Sequence, residues 1–435
     1  MSARYDAIVI GGGIAGTSTA ILLAQRGWSV VLVEKRAFPR RKVCGECVAA
    51  PNLALLDALG VGEVFTALAG PPLERVALYQ GDEAFAAELP RLRGGSAPWG
   101  RALGREHLDA LLLARATALG VAVRQPWSAI DVARSDGMHV CTIAAASAAQ
   151  LPSATATLVA PVVIDAHGSW ERAPAAAERA QARARASDLF AFKANFADAQ
   201  LPPGVLPVLA FAGGYGGMVV ADDRMLTIAC CVRRDRLREW RARRPNMAAG
   251  EAVEALLRDS CAGVRAVLND ARRVGPWLSV GPLQPGMRAP WTEQRGFAVG
   301  NAAGEAHPIL GEGISMALQG AWLLSARLEE QRSALLAGSS QARVARAYAR
   351  DWRRNFAARI RWAALLAQLA MRPGAARALR HVLRRWPGLL TVGAIVGGKI
   401  RRPRGGAASQ SARAPREAAM QTSAAGAHAK VTLEP

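Results

Sequence analysis

Asp6-Ala-Ile-Val-Ile-Gly-Gly-Gly-Ile-Ala-Gly16, followed by Val30-Val-Leu-Val-Glu34, reads as a strand, a glycine turn, a helix and a second strand ending on a carboxylate. Ile8, Val9 and Ile10 form a short apolar run of strand type, cut off at once by glycines. Gly11, Gly13 and Gly16 fit G-x-G-x-x-G, and each glycine has its own task. Gly11 permits the tight turn, Gly13 lets a pyrophosphate approach the backbone, and Gly16 lets helix and strand pack closely. The helix predicted over 14–26 directs free N–H groups and its positive dipole end at the phosphates. Glu34 stands 23 residues after Gly11, near the spacing at which an acid accepts hydrogen bonds from a ribose diol. Strand before, helix after and acid at that distance specify a dinucleotide rather than a glycine-rich hairpin.

The 435 residues allow two domains, or one large domain carrying an inserted sheet. Hydrophobic residues make up 51% and charged residues 20%, which suits a packed globular chain and excludes wholesale disorder. The most apolar late run, 386–398, is shorter than the roughly 20 residues a membrane span needs. Residues 1–5 carry no long apolar stretch of the secretory type, and the six cysteines are too scattered for a secreted disulfide framework. A cytoplasmic protein is expected. The formal net charge of +21 is concentrated near one end: 341–404 holds sixteen Arg or Lys against the single acid Asp351. The body before residue 341 is only mildly basic.

After Glu34 comes a basic loop that ends in Cys44-Gly-Glu-Cys47. Helices are predicted over 51–59 and 105–118, the second stopped by Gly120, and strands over 74–80, 84–89, 121–124, 129–133, 139–144 and 155–164. The last of these runs into Asp165-Ala-His-Gly168. The alanine- and arginine-rich 173–187 reads as a surface helix or linker. Residues 189–232 alternate strand-like runs with turns, including Gly213-Gly-Tyr-Gly-Gly217, which is the composition of an antiparallel sheet. Helices follow over 236–242 and 249–261. Then 295–301 gives another strand and turn, leading into 302–313 and a helix to about 328. From 340 to 400 the chain is helical and cationic, and the Pro-, Gly-, Ala- and Ser-rich 401–435 reads as disordered.

Four separated blocks (11–34, the Arg105–Asp109 box, 165–168, and Gly300-Asn301 with Pro308, Gly311 and Gly313) together resemble the flavin-dependent oxidoreductases. That group includes geranylgeranyl reductases and single-component aromatic hydroxylases, and the resemblance spans roughly 5–330. It implies an α/β fold: a Rossmann-like FAD-binding domain (1–74, 101–180 and 290–335) with an inserted antiparallel-sheet substrate domain (75–100 and 186–289). A basic helical C-terminal segment (340–400) and the tail (401–435) complete the chain. It also implies FAD as cofactor, with NAD(P)H as a transient co-substrate that has no nucleotide domain of its own. Gly11, Gly13, Ile14, Ala15, Gly16, Glu34 and Lys35 would then take the ADP half, and Arg105 the pyrophosphate. Asp165 and Gly168 would form a turn beside the cofactor, and Gly300 and Asn301 would take the ribityl chain. Pro308, Gly311, Gly313 and Ile314 would face the flavin ring, where a helix N-terminus favours the negative charge of its reduced form. Where the family usually has Gly-Asp this chain has Gly300-Asn301, which keeps a hydrogen-bonding group but loses charge assistance.

The residues able to carry chemistry leave alternatives open. Arg41, Cys44 and Gly45 resemble the Cys-Gly box that geranylgeranyl reductase-like proteins place beside the flavin. Alternatively Cys44 and Cys47 form a redox disulfide, as in flavoprotein disulfide reductases, or are inert buried thiols. His307 is a candidate proton donor, His167 sits in the Asp165 turn, and Tyr215 either stands over the flavin or fills a sheet turn. Beyond Cys44 and Cys47 no further His/Cys pair has zinc-ligand spacing, so no metal is expected. In the C-terminal segment Trp352, Phe356 and Ile360 share one helical face, and Arg350, Arg354 and Arg361 another. That helix either covers the core or rests on an anionic membrane surface; nucleic acid is not expected, since no recognition module accompanies the charge. The expected activity is reduction or hydroxylation of an apolar isoprenoid, polyketide or aromatic small molecule. A non-catalytic flavin- or lipid-binding protein is the alternative from another class.

Overall fold

The opening stretch folds as a strand, β1 (Ala7–Ile10), a helix, α1 (Ile14–Ala24), and a second strand, β2 (Val30–Val33), paired in parallel with Ile8 opposite Val31. The computed structural model describes residues 2–94, 97–146, 154–169, 184–400 and 402, so most of the segment 173–187 and nearly all of the tail 401–435 lie outside the described residues. The Arg105–Ala118 helix, α2, runs over the residues that the sequence predicts. Together with β3 (Val162–Asp165), β1 and β2 form the middle of a six-stranded sheet. Its spatial order is Trp291–Thr292, Gly296–Ala298, β3, β1, β2 and Ala122–Arg124, and its pairings are parallel except at the Trp291–Thr292 edge.

Alternation along these strands sets the layers. Ala7, Val9, Val30, Leu32, Val162 and Ile164 point into the cluster built with α1 and the helix α3 (Gly313–Glu329). Ile8, Val31, Val33 and Val163 point the other way, onto Cys141, Ile143 and Leu158 of a small sheet formed by Trp127–Ser135, Met138–Ala145, Thr155–Ala160 and Ser2–Arg4. Both faces of the parallel sheet are therefore covered, which is why its strands are continuously apolar. The single strand predicted over 155–164 is in fact two. Pro161 has no N–H for a ladder, and the chain changes sheets there: Thr155–Ala160 joins the small sheet and β3 the parallel one.

The seven-stranded sheet runs in the order Arg272–Val280, Leu189–Ala197, Leu226–Arg233, Gly214–Val220, Val205–Phe211, Arg75–Gln80, Glu83–Glu88. It is antiparallel apart from the parallel pairing of Val205–Phe211 with Arg75–Gln80. Phe192, Phe196, Met218, Ile228 and Cys230 face one side, where Trp240, Leu256 and Leu257 from the helices Arg234–Ala242 and Ala249–Ser260 cover them. The residues between them point to the opposite side, which therefore carries Ala191, Tyr215 and Cys231.

That second side is roofed by the C-terminal segment, folded as α4 (Ala342–Ala370), α5 (Pro373–Arg385) and α6 (Leu389–Val396). The face of α4 carrying Trp352, Phe356 and Ile360 is buried in the main core beside α3, so this face covers protein rather than meeting a membrane. No described helix is long and apolar enough to cross a membrane.

Candidate functional site

Steric room distinguishes the three glycines of the first turn. Gly11 has φ +109°, and a Cβ there would lie 2.5 Å from the Ala166 carbonyl oxygen; at Gly16 it would lie 1.9 Å from the carbonyl oxygen of Gly11. Any side chain at either position would force strand and helix apart. At Gly13 the nearest atom is Nη2 of Arg105, 3.8 Å away, so this glycine leaves open space between the start of α1 and a guanidinium. Glu34 is buried, and its oxygens accept the Gly12 and Arg36 N–H groups, each at 2.8 Å. Arg40 also pairs with Oε2 at 3.5 Å, and Oε1 keeps a lone pair for a ribose hydroxyl.

Arg105 is buried at the start of α2 and forks onto Asp109 one turn on, with Nε–Oδ1 at 2.8 Å and Nη2–Oδ2 at 2.7 Å. The Arg-x-x-x-Asp spacing thus aligns the guanidinium internally. Its remaining edge meets the Cys44 thiol and faces Gly13. Lys42 lies among the same groups: it senses the charges of Arg40, Arg105, Asp109 and Glu34, and its Nζ is 3.5 Å from where a Cβ on Gly168 would stand. Burial and the neighbouring guanidinium groups of Arg105 and Arg40 lower the Lys42 ammonium to about 8. Cations crowded against a helix N-terminus and an open glycine are the surroundings a diphosphate neutralises. The residues present fit the pyrophosphate of FAD.

A pH dependence follows. In the free protein Lys42 loses its proton near pH 8, and a bound diphosphate raises that value. Binding therefore takes up a proton above pH 8, and FAD affinity is expected to fall as pH rises further, by at most about tenfold per unit. Fluorescence titrations at pH 7 and pH 9.5 check this, and Lys42→Met should flatten the slope; equal slopes in both proteins would assign it elsewhere.

The fourth block is brought to the same place. Gly300, at φ +61°, lies so close to α1 that a Cβ there would come within 2.8 Å of the Ala15 Cβ. Asn301 donates through Nδ2 to Ser169 Oγ at 2.6 Å, just beyond the Asp165–Gly168 turn, and its carbonyl is held by Arg288. In that turn Asp165 Oδ1 accepts the His167 N–H and also meets its ring Nδ1, which engages His167 as a turn-holding side chain. Pro308 opens a single helical turn, Pro308–Leu310, Gly311 takes φ +61°, and α3 begins at Gly313 with no side-chain cap. A Cβ on Gly313 would meet nothing within 4 Å, and Ile314 behind it is buried. The free N–H groups of α3 therefore open onto space.

Of the candidate catalytic side chains, Tyr215 and His307 converge although 92 residues apart: the Tyr215 hydroxyl is 3.4 Å from His307 Nδ1 and also bonds the Cys231 thiol. Leu189, Ala191, Leu283 and Ala367 surround Tyr215, with Val43 and Ile309 packed alongside. Burial raises the Tyr215 hydroxyl well above 10 and lowers the His307 imidazole, so near neutrality the pair holds one phenolic proton and a neutral ring. Cys44 faces Arg105, and its Sγ accepts the Glu46 N–H at 3.3 Å. Cys47 is a free thiol pushed up to about 11 by burial, the wrong direction for a thiolate relay.

Some residues fall elsewhere. Arg41 donates to Glu106 at 2.8 Å and to the Val274 carbonyl at 3.0 Å, so Arg41 staples the loop to the seven-stranded sheet while its neighbour Lys42 turns inward. Lys35 is exposed at the end of β2, and Gly45 has open space beside it. Glu106, His107 and Asp222 bring ligand-type atoms within 4.8 Å of one another, a meeting invisible in sequence spacing. Glu106 and Asp222 already hold Arg41 and the Gly104 N–H.

Glu46 and Glu312 escape a linear reading. Glu46, at φ +59° and 1% exposed, pairs with the 2%-exposed Lys193; its Oε2 accepts Thr227 Oγ1 and its Oε1 accepts the Arg105 N–H at 3.0 Å. Glu312, just before α3, is buried against Arg359 at 3.3 Å and Lys399 at 3.8 Å, which ties the segment 307–313 to the C-terminal helices. These partners are 47 to 181 residues away, and no local pattern marks them.

A family model described as "FAD binding domain" matches residues 4–361. A tryptophan 2-halogenase of Chondromyces crocatus is 34% identical over 127 residues, 29% of this chain and 23% of that protein. A menaquinone reductase of Mycolicibacterium smegmatis is 39% identical over 61 residues, 14% of this chain and 15% of that protein. The segments matched thus span less than a quarter of each relative. Among solved structures, the myxobacterial chondrochloren halogenase shares the fold with a TM-score of 0.68 at 23% identity, over 81% of this chain and 80% of that one.

Proposed function

We propose a flavin oxidoreductase that reduces an apolar, unsaturated small molecule, taking as premise that the chain belongs to the FAD binding domain family. One observation carries the choice: a buried phenol and a neutral imidazole, 3.4 Å apart, in an apolar wall beside the segment 307–313. Reducing a C=C bond takes a hydride and a proton. Bound FAD, once reduced by NAD(P)H, supplies the hydride equivalent. Gly13, Lys42 and Arg105 hold its diphosphate, Glu34 its ribose, and the open N-terminus of α3 offers N–H groups to the ring edge. Tyr215 keeps its proton across the neutral range and passes it through His307 to the substrate carbon. Leu189, Leu283 and Val43 exclude water from that transfer.

A second reading, oxygen-dependent hydroxylation, is favoured by the fold shared with the p-nitrophenol 4-monooxygenase of Pseudomonas putida. Anaerobic and aerobic assays separate the two. The purified protein should be yellow and oxidise NAD(P)H without oxygen in proportion to saturated product. Oxygen uptake matched to product would shift the assignment to hydroxylation. A yellow protein inert with every apolar acceptor tried would indicate a flavin- or lipid-binding protein instead. Activity unchanged in Cys44→Ser/Cys47→Ser would remove the dithiol alternative.

A further inference from the structure

We propose that the C-terminal arm, from the end of α4 through α6, is a docking surface for an anionic lipid bilayer. Three successive segments each leave an apolar stripe in solvent at i, i+3, i+7 spacing: Trp362, Leu365 and Leu369; Leu379, Val382 and Trp386; Leu389, Val392 and Val396. Trp386 is 58% exposed, Val392 51% and Trp362 49%. Most large hydrophobic side chains exposed anywhere among the described residues are in this one stretch. An apolar surface of that extent in water is a binding site or a liability.

The stripes cannot turn inward, because the inner faces of the same helices are already used. Leu383 packs with Leu78 and Ala210, and Leu390 and Ala394 pack near Val76 and Val219, all on the seven-stranded sheet. Arg384 pairs with Glu83, and Thr391 donates to the Glu88 carbonyl at 2.6 Å, so the arm is fastened with its stripes outward.

Charge selects the occupant. Between Asp351 and Glu417 the sequence has no acid, and Arg361, Arg372 and Arg385 stand exposed beside the stripes. A second copy of this surface would set arginine against arginine, which costs affinity. Nucleic acid would satisfy the cations but leave nine aliphatic and indole side chains in water. An anionic bilayer satisfies both: the stripes enter the headgroup–acyl boundary and the arginines meet lipid phosphates. Ala367 and Met371 on this arm also pack beside Tyr215, so docking would put the helix that covers Tyr215 against lipid. That consequence rests on the function proposed above; the docking itself does not.

Flotation of the full-length, FAD-loaded protein tests the docking without any assay of activity. With vesicles of phosphatidylcholine containing about one-third phosphatidylglycerol the protein should float, and with phosphatidylcholine alone it should stay down. Raising the salt to about 0.5 M should weaken binding. Trp362→Ser/Trp386→Ser/Val392→Ser and Arg361→Gln/Arg372→Gln/Arg385→Gln should each lower partitioning at least tenfold while keeping bound flavin and an unchanged melting temperature. Should the serine variant fail to fold, Trp362→Phe/Trp386→Phe preserves the apolar surface. It should float normally yet lose part of the tryptophan quenching given by bromine-labelled anionic lipid. Absence of flotation, or flotation indifferent to both sets of substitutions, overturns the proposal. Concentration-dependent dimerisation abolished by the serine substitutions, without flotation, overturns it in favour of a second copy.

Discussion

Glu46→Ala is expected to destabilise the protein by about 3–5 kcal/mol, because it leaves the Lys193 ammonium buried without its counter-charge. The cost comes from the partner left behind more than from the attraction removed, since Lys193 must either stay charged in a dry site or give up its proton. The melting temperature should fall by roughly 5 °C or more. Two further variants make the cause identifiable. Glu46→Gly removes the same carboxylate but accepts φ +59° freely, so it should be about 1 kcal/mol less damaging than alanine. Glu46→Leu combined with Lys193→Met removes both charges and should recover much of the loss. FAD affinity should fall too, because the Oε1 that pairs with Lys193 also accepts the Arg105 N–H at the start of α2. A melting temperature within about 2 °C of wild type in Glu46→Ala would show the ion pair to be energetically idle.

Glu46 also shows where a reading of the sequence stops. The frame of the site is local and was legible: glycine spacing, the strand runs around it, and the i, i+4 relation of Arg105 and Asp109 all lie within one turn or one strand–helix unit. Trp352, Phe356 and Ile360 were legible as one face by helical period, though period alone does not say what covers a face. Arg41 and Lys42 mark a finer limit. In an extended loop neighbouring side chains leave on opposite sides, so a basic run announces a cationic lining without saying which residue supplies it. Pro161 was visible, but its effect, a change of sheet, depends on which strands wait on either side. Glu46 with Lys193 and Glu312 with Arg359 depend on tertiary approach alone. Buried pairs of that kind have no period, and the Cys-Gly-Glu-Cys box draws attention to its thiols while its carboxylate does the holding.

Tyr215→Phe is expected to lower kcat on the order of 10²-fold with little change in KM or in bound flavin, since it deletes one proton and no apolar contact. The pH profile separates a proton-delivering role from a merely structural one. In the wild type the phenol stays protonated well above 10 and His307 stays neutral through pH 7, because burial shifts the two in opposite directions. Turnover should therefore be flat from about pH 6.5 to about 10. Without the phenol, the proton must come from His307 itself, which is charged only below its lowered value. The residual activity of Tyr215→Phe should consequently rise as pH falls below about 6.5, where the wild type has no such slope. His307→Gln should lose activity to a similar extent, and the double variant should lose little more than either single one, as expected of two groups on one proton path. Tyr215→Phe with wild-type kcat and a flat profile would move the proton source elsewhere. The anaerobic stoichiometry of NAD(P)H to product would still decide whether the reaction is a reduction.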